Sequence, residues 1–244
     1  MQTDVRIMSA RLMAPAAAID TLHRFYGECL GFPVRSRRDQ PGLEAGDGSV
    51  ELVAGAGSIA FIPAADAARP FYHVALLVPG NRFEAARAWV EPYADLLSRP
   101  GQTTTMFRFG AWEADACYFH DPAQNIVELI SHRGVAESRS PSCGFQAAEL
   151  AGISELGLVV DDPRAAAGML TSAGLDLWSG GVEGPDALAF IGGQAHTLIL
   201  CPPGRAWLPT QRPAECHPVS ANLDVASGKT VTVRVAGGTL TVDS

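Results

Sequence analysis

Residues 117–132 read CYFHDPAQNIVELISH, and two side chains in that stretch could do chemistry, Tyr118 and Glu128. Glu128 sits among Ile126, Val127, Leu129 and Ile130. A carboxylate placed there loses its hydration, which is costly unless it is paired with a cation or ligated to a metal. Both solutions are chemically open. A divalent ion would make Glu128 a ligand, whereas an arginine would make it half of a bidentate ion pair. Along AWEADACYFHD, the residues Trp112, Ala114, Ala116, Tyr118 and His120 share one parity. On a regular strand the two alanines leave room that Trp112 and Tyr118 line, as a small-molecule pocket requires. His120, beside the turn, is expected at the surface.

These positions belong to a repeated unit. ELVAGAGSIAFIPA (51–64), YFHDPAQNIVELIS (118–131) and AFIGGQAHTLILCP (189–202) align without gaps, each as strand, tight turn, strand. Gly55 and Gly57, Asp121 through Asn125, and Gly192 and Gly193 supply the turn chemistry. Upstream of each hairpin lies a strand followed by a helix-period segment. In the second copy Phe83, Ala86, Arg87 and Val90 follow the i, i+3, i+4, i+7 spacing of one helical face. In the third, Asp161 or Asp162 caps a helix whose first turn takes Pro163. Gly31 and Gly174 stand where the first and third helices should stop.

The chain therefore reads as α+β, built from paired βαβββ modules that form curved, cup-shaped mixed sheets. One such unit leaves a sheet face bare, so two must pair. The expected organisation is a domain of two modules over 1–134, a polar, Ser-rich linker over 135–151, and a third module with extra strands over 152–244. The final stretches VSANLDV, KTVTVRVAG and GTLTVDS contain no helix between them, and Gly237-Gly238 marks a hairpin. They are expected to cover or extend the sheet of the third unit, standing in for a fourth copy.

Composition narrows the function classes. With 244 residues and 47% apolar content the chain can bury a sizeable core. A net charge of −8 and a pI near 5.2 argue against nucleic acid, which needs clustered cations. The short run RSRR (Arg35 to Arg38) is the nearest approach and reads as decoration of a strand end. The amino-terminal residues show no secretory pattern and no apolar run approaches ~18 residues, so a cytoplasmic protein with no membrane partner is expected. The five cysteines show neither CxxC nor CxxH spacing, against a disulfide framework or a zinc knuckle.

The βαβββ repeat, with FYGECLGF (25–32) ending the first helix, HVALLV (73–78) opening the second unit and DPAQNIVEL (121–129) closing it, resembles the vicinal oxygen chelate superfamily. That group includes glyoxalase I, extradiol dioxygenases, fosfomycin-resistance transferases and bleomycin-resistance proteins. The resemblance covers residues 5–132 well and 152–202 more weakly. It implies metal ligands on the first and last strands of paired units, which carries over to His73 and Glu128. Read without the family, His73 could equally be a strand histidine satisfied by backbone or a carboxylate.

The remaining ligand position falls on Arg11 or Ser9, depending on how the strand-to-helix turn is counted, and neither is a good ligand. Arg11 would instead be the natural partner of Glu128 if no metal is present. Phe61 aligns with Glu128 in the first unit. The third unit offers Glu155 opposite His73 but Ile199 opposite Glu128, so it lacks a full set. Glu51 aligns with Tyr118 and is the candidate third ligand if the first two units share a cup.

Two functions follow. One is an enzyme holding one divalent ion (Fe, Mn, Ni or Zn) at His73 and Glu128, with Glu128, Glu51 and Tyr118 catalytic and with Trp112, Tyr118, Arg11 and Ser9 binding substrate; lyase, isomerase or dioxygenase chemistry all use such a frame. The other is a metal-free protein that sequesters a small molecule, as bleomycin-resistance proteins do. A small-molecule partner is common to both, and the third unit is also a candidate homodimer element.

Overall fold

A computed structural model describes residues 5–36, 48–65, 68–138, 144–226 and 228–244. The βαβββ unit occurs three times. The first comprises β1 (Arg6–Ala14), α1 (Ile19–His23), β2 (Val34–Ser36), β3 (Val50–Ala54) and β4 (Gly57–Pro63). The second comprises β5 (His73–Val78), α2 (Phe83–Val90), β6 (Phe107–Phe109), β7 (Ala114–His120) and β8 (Ile126–His132). The third comprises β9 (Gly152–Val159), α3 (Pro163–Ser172), β10 (Leu177–Gly181), β11 (Leu188–Gly192) and β12 (Thr197–Cys201). A short hairpin, β13 (Ala206–Trp207) and β14 (Arg212–Pro213), follows, and then β15 (Val219–Asp224), β16 (Thr230–Ala236) and β17 (Thr239–Asp243).

Local chemistry accounts for the element ends. The Asp162 side chain accepts from the Ala165 amide at 2.9 Å and Pro163 occupies the first turn of α3, so Asp162 is the cap. Gly31 and Gly174 take φ of +73° and +92° just beyond their helices, a region that favours glycine. The first helix continues past α1 as a π-helical turn, Arg24–Cys29. On α2, Phe83, Ala86 and Val90 are buried while Arg87 lies at the edge, bonded to Glu91 at 2.9 Å. The carboxy-terminal hairpin turns on Gly237 and Gly238, both at positive φ.

The pairing of units departs from the expected one. The second and third units join through their first strands, with β5 antiparallel to β9 (Val74 opposite Leu156, Ala75 opposite Glu155). The first unit pairs instead with the carboxy-terminal strands, β1 running antiparallel to β15 with Leu12 opposite Val219. The helix-free strands thus complete the sheet of the first unit and not that of the third. Within each unit the first strand lies parallel to the last: β1 beside β4, β5 beside β8, β9 beside β12. A single bridge, Ile7 to Ile153, connects the two halves into one mixed sheet.

Strand alternation sorts the second and third units into two layers. Val74, Leu76, Val78, Cys117, Phe119, Val127, Leu129, Leu156, Leu158, Leu198 and Leu200 join the large core beneath the helices. Their neighbours Ala75, Ala114, Ala116, Tyr118, Ile126, Ile130, Phe190, Ile199 and Cys201 face the other way, into the cup. Cys29, Cys117, Cys201 and Cys216 are unpaired, while Cys143, Arg37, Arg38 and residues 139–143 of the expected linker lie outside the described residues.

The turn between β7 and β8 sets the register of this layer. Asp121 is buried and accepts four hydrogen bonds: from the Ala123 and Asn125 amides at 2.9 Å each, from Asn125 Nδ2 at 2.8 Å and from the Tyr26 hydroxyl at 3.1 Å. Asn125 Oδ1 in turn accepts from the Tyr72 amide at 2.9 Å, tying the turn to the start of β5. The left-handed residue of the turn is Gln124, at φ +66°, and not Asn125. Asn125 is needed in the buried network instead. Replacing Asp121 by Ala leaves these donors without their acceptor and should lower unfolding stability by about 3 kcal/mol, with Asp121→Asn losing less. Urea denaturation midpoints measured at constant m-value check this.

Candidate metal centre

Residues on three strands converge at the floor of the cup. His73 opens β5, Glu128 lies at the middle of β8 and Glu155 lies in β9, all within apolar strands and 4%, 2% and 4% exposed. The cross-strand register brings them together. Ala75 lies opposite Glu128 on one side and opposite Glu155 on the other, so the two carboxylates flank a residue with only a methyl group. His73, two residues before Ala75, reaches between them from the same face. Its Nε2 lies 3.4 Å from Glu128 Oε2 and 3.4 Å from Glu155 Oε2.

Register also explains which corner is missing. Glu155 lies opposite Thr197 and Gly157 opposite Ile199 in the third unit, as His73 lies opposite Ile126 and Ala75 opposite Glu128 in the second. Glu155 is therefore the counterpart of His73, and Ile199 that of Glu128. Three of four equivalent corners carry donor atoms and the fourth is apolar.

Hydrogen bonding orients the groups. His73 Nδ1 lies 3.2 Å from the Ile126 carbonyl. A carbonyl accepts only from a protonated nitrogen, so neutral His73 carries its proton on Nδ1 and turns the Nε2 lone pair toward the carboxylates. Tyr118 lies directly across from Glu128 and its hydroxyl donates to that carboxylate. Burial, then the neighbouring Glu155, push Glu128 well above the ordinary glutamate range, while the bond from Tyr118 opposes them. Burial and the nearby carboxylates likewise raise Tyr118 well above an ordinary phenol, so it remains a donor.

These donors fit a divalent ion. In the neutral tautomer a lone pair and two carboxylate oxygens point at one another in a site stripped of water, an arrangement that is repulsive without a cation. One imidazole and two carboxylates without thiolate are a borderline-to-hard set suited to Mn, Fe or Zn. The ligating atoms of His73, Glu128 and Glu155 lie within 4.8 Å of one another, and the carbonyl bond from His73 is the usual way a ligand imidazole is fixed.

Above the floor the walls are aromatic. The cavity encloses about 110 Å³ and is lined by Phe109, Trp112, Phe190, Ile199 and Trp207 besides the polar floor. Trp112 packs against Phe190 at 4.6 Å and Trp178 at 4.9 Å, centroid to centroid. Trp207, from β13, lies 5.2 Å from the His73 ring and closes one side. Gly157 makes room for it, since a Cβ there would come within 2.8 Å of the indole.

Of the residues singled out from sequence, His73, Trp112, Tyr118 and Glu128 meet in this cavity. Ser9, Arg11 and Glu51 lie on strands of the other half, and none lines it. Arg11 is exposed on β1 opposite Ser220, Ser9 accepts from Asn222 Nδ2 at 2.9 Å, and Glu51 pairs with Arg35 and Ala60 in its sheet. The expectation that Glu51 would complete a set with His73 and Glu128, or Arg11 neutralise Glu128, depended on the first two units sharing a cup; β5 pairs with β9 instead. Glu155 was visible as the counterpart of His73 and carries the same anomaly as Glu128, a carboxylate in an apolar strand. Within its own unit it stands without a full donor set, so sequence alone does not join it to His73 and Glu128. His120 is half-buried, with Nδ1 3.3 Å from the Asn125 carbonyl.

No protein-family model matches the chain, and no curated relative does. Solved structures do match. Glyoxalase I from Zea mays superposes with a TM-score of 0.55 at 13% identity, covering 98% of this chain and 92% of that one. A candidate dioxygenase from Bacillus subtilis superposes with a TM-score of 0.54 at 15% identity, over 92% of this chain and 83% of its own. Identities this low speak to architecture alone. With three βαβββ units, two of them paired through their first strands around a cup, the chain has the vicinal oxygen chelate fold.

Proposed function

We propose that this chain is a metal-dependent enzyme that acts on a small oxygenated molecule held in the cup between the second and third units. One observation carries the reading: His73 Nε2 stands 3.4 Å from a carboxylate oxygen of both Glu128 and Glu155, with all three buried under an aromatic cavity. His73, Glu128 and Glu155 would hold one divalent ion. When bound, such an ion supplies Lewis acidity to oxygens of the substrate. Glyoxalase I and a candidate dioxygenase share this fold, which supports lyase, isomerase or dioxygenase chemistry as the class of reaction to test.

The protein groups have separable tasks. The Ile126 carbonyl holds His73 in the tautomer that presents Nε2. Tyr118 keeps its proton and orients Glu128 through a hydrogen bond, leaving the other lone pairs of that carboxylate for a ligand or a proton. Glu128 is placed to accept and return a substrate proton, because burial and the neighbouring Glu155 raise its proton affinity. Trp112, Phe109, Phe190 and Trp207 exclude water and so strengthen every charge interaction beneath them.

Protein purified without chelator should carry one Mn, Fe or Zn ion per chain by elemental analysis, and adding the ion to stripped protein should raise the melting temperature. Glu155→Gln and Glu128→Gln should each weaken Mn(II) affinity by at least roughly tenfold in an electron paramagnetic resonance titration. Both variants should stay folded, since each removes a buried charge from a like-charged pair. Absence of a stoichiometric ion, with melting indifferent to EDTA, would overturn the reading and favour a metal-free binding protein.

Proton linkage supplies a second test. Folding raises the affinity of Glu128 for its proton, so above the ordinary glutamate range the metal-free folded state binds more protons than the unfolded one. The stabilisation from this group is complete at low pH and is lost as pH rises through the folded-state titration. Metal-free protein should accordingly lose stability with rising pH, by at most ~1.4 kcal/mol per unit for one proton. Glu128→Gln should flatten that slope in urea titrations run across the acid-to-neutral range.

A further inference from the structure

Arg205 lines the cavity but has no part in the metal centre. It is the only lysine or arginine in the lining among the described residues, and it is half-buried. Four arginines of the second and third units are committed to carboxylates: Arg82 to Glu149, Arg87 to Glu91, Arg108 to Asp115 and Arg164 to Glu183. Arg205 has no ion-pair partner among the described residues. Its side chain donates from Nη1 to the Ala206 carbonyl at 2.9 Å and from Nε to the Asp186 carbonyl at 3.4 Å. A guanidinium has five N–H donors, so this leaves most of the fork available.

The position is rigid. The Gly204 amide donates to the Ala214 carbonyl at 2.8 Å, and the Ala214 amide donates to the Arg205 carbonyl at 2.7 Å, fixing the backbone at the base of the β13–β14 hairpin. That hairpin also carries Trp207 and Leu208 into the cavity wall. The cation and one aromatic of the wall, Trp207, are thus set by one short element, which packs on the floor strands through His73 and Gly157.

Charge balance shows what the guanidinium is for. Two carboxylates and a divalent ion sum to zero at the floor, so the metal centre alone has no net attraction for an anion. Arg205 adds one positive charge at the cavity wall, where its planar fork can meet a carboxylate directionally. Size sets the other limit. About 110 Å³ is below the ~150 Å³ of an engineered apolar cavity that holds benzene, so one ring or less fits beneath the mouth. The walls are flat aromatic faces, Trp112, Phe109 and Phe190 among them.

We infer that Arg205 is the specificity residue of this site and selects a small, flat anion: a body no larger than one ring lies among the aromatic walls while a carboxylate or equivalent anion meets the guanidinium. This deepens the enzyme reading above, whose floor chemistry it shares, but the Arg205 contact does not itself require the ion. The test uses full-length protein, both Mn(II)-loaded and EDTA-stripped, with benzoate, benzamide and benzylamine as isosteric anionic, neutral and cationic probes. Binding is read from tryptophan fluorescence and calorimetry.

Benzoate should bind about tenfold tighter than benzamide in the Mn(II)-loaded protein and should keep a smaller preference in the stripped protein, whose floor regains its negative charge. Arg205→Gln should abolish that preference and Arg205→Lys should keep part of it, each with an unchanged melting temperature because Arg205 bonds only to backbone carbonyls. The inference is overturned if the preference survives Arg205→Gln but disappears with EDTA, which puts the anion on the metal. It is equally overturned if benzylamine binds best, or if no probe binds at millimolar concentration. Mn(II) binding without any probe is scored separately, so failure of the metal reading and failure of the anion reading give different results.

Discussion

The hydrogen-bonded ladder between β5 and β9 is the contact on which the candidate site rests. It places Ala75 opposite Glu155, while the parallel ladder to β8 places the same Ala75 opposite Glu128. A shift of one residue in either ladder would turn a carboxylate into the core beneath the helices, because side chains alternate between faces. The many apolar residues on that lower face, Val74, Leu76, Val127, Leu129 and Leu156 among them, oppose such a slip. Hydrophobic burial on one side of the sheet thus holds polar chemistry in place on the other.

The result is an electrostatic conflict, localised at the floor of the cup. Glu128 and Glu155 are each costly to bury and costlier together, and one histidine facing both cannot neutralise two negative charges. Protonation of Glu128 relieves part of the conflict and a divalent cation relieves it more fully. The surroundings are stable enough to impose it: Tyr118 holds Glu128, Ile126 holds His73, and Trp207 fills the space that Gly157 leaves beside the imidazole. Concentrating unfavourable charge where a ligand can discharge it is a common property of metal and catalytic sites.

The other half of the molecule repeats the pairing without repeating the chemistry. There β1 lies between β4 and β15 as β5 lies between β8 and β9, so the helix-free carboxy-terminal strands do the work of a fourth unit. Phe61 occupies the position equivalent to Glu128, and Ser9, Arg11 and Glu51 lie on a partly exposed face with ordinary polar neighbours. A free sheet edge beside β1 would be a template for aggregation, which the antiparallel β15–β17 strands cover.

The repeated βαβββ unit with its hairpins, an aspartate cap at 161 or 162 before Pro163, and the shared parity of Trp112 and Tyr118 were legible in the amino-acid sequence, because periodicity and turn chemistry act over a few neighbouring residues; His73 and Glu128 were placed in a cup by the family resemblance. Even Glu155 announced itself as a carboxylate in an apolar strand. Which units share a cup was not legible. All three first strands are apolar and alternate in similar ways, so local pattern cannot distinguish β1 from β9 as the partner of β5; the choice is made by long-range packing and by what the carboxy-terminal strands occupy. That one decision moved the third carboxylate from Glu51 to Glu155 and separated Arg11 from Glu128. It also brought Arg205 and Trp207, from a proline-rich stretch with no periodic signal, to the mouth of the cavity.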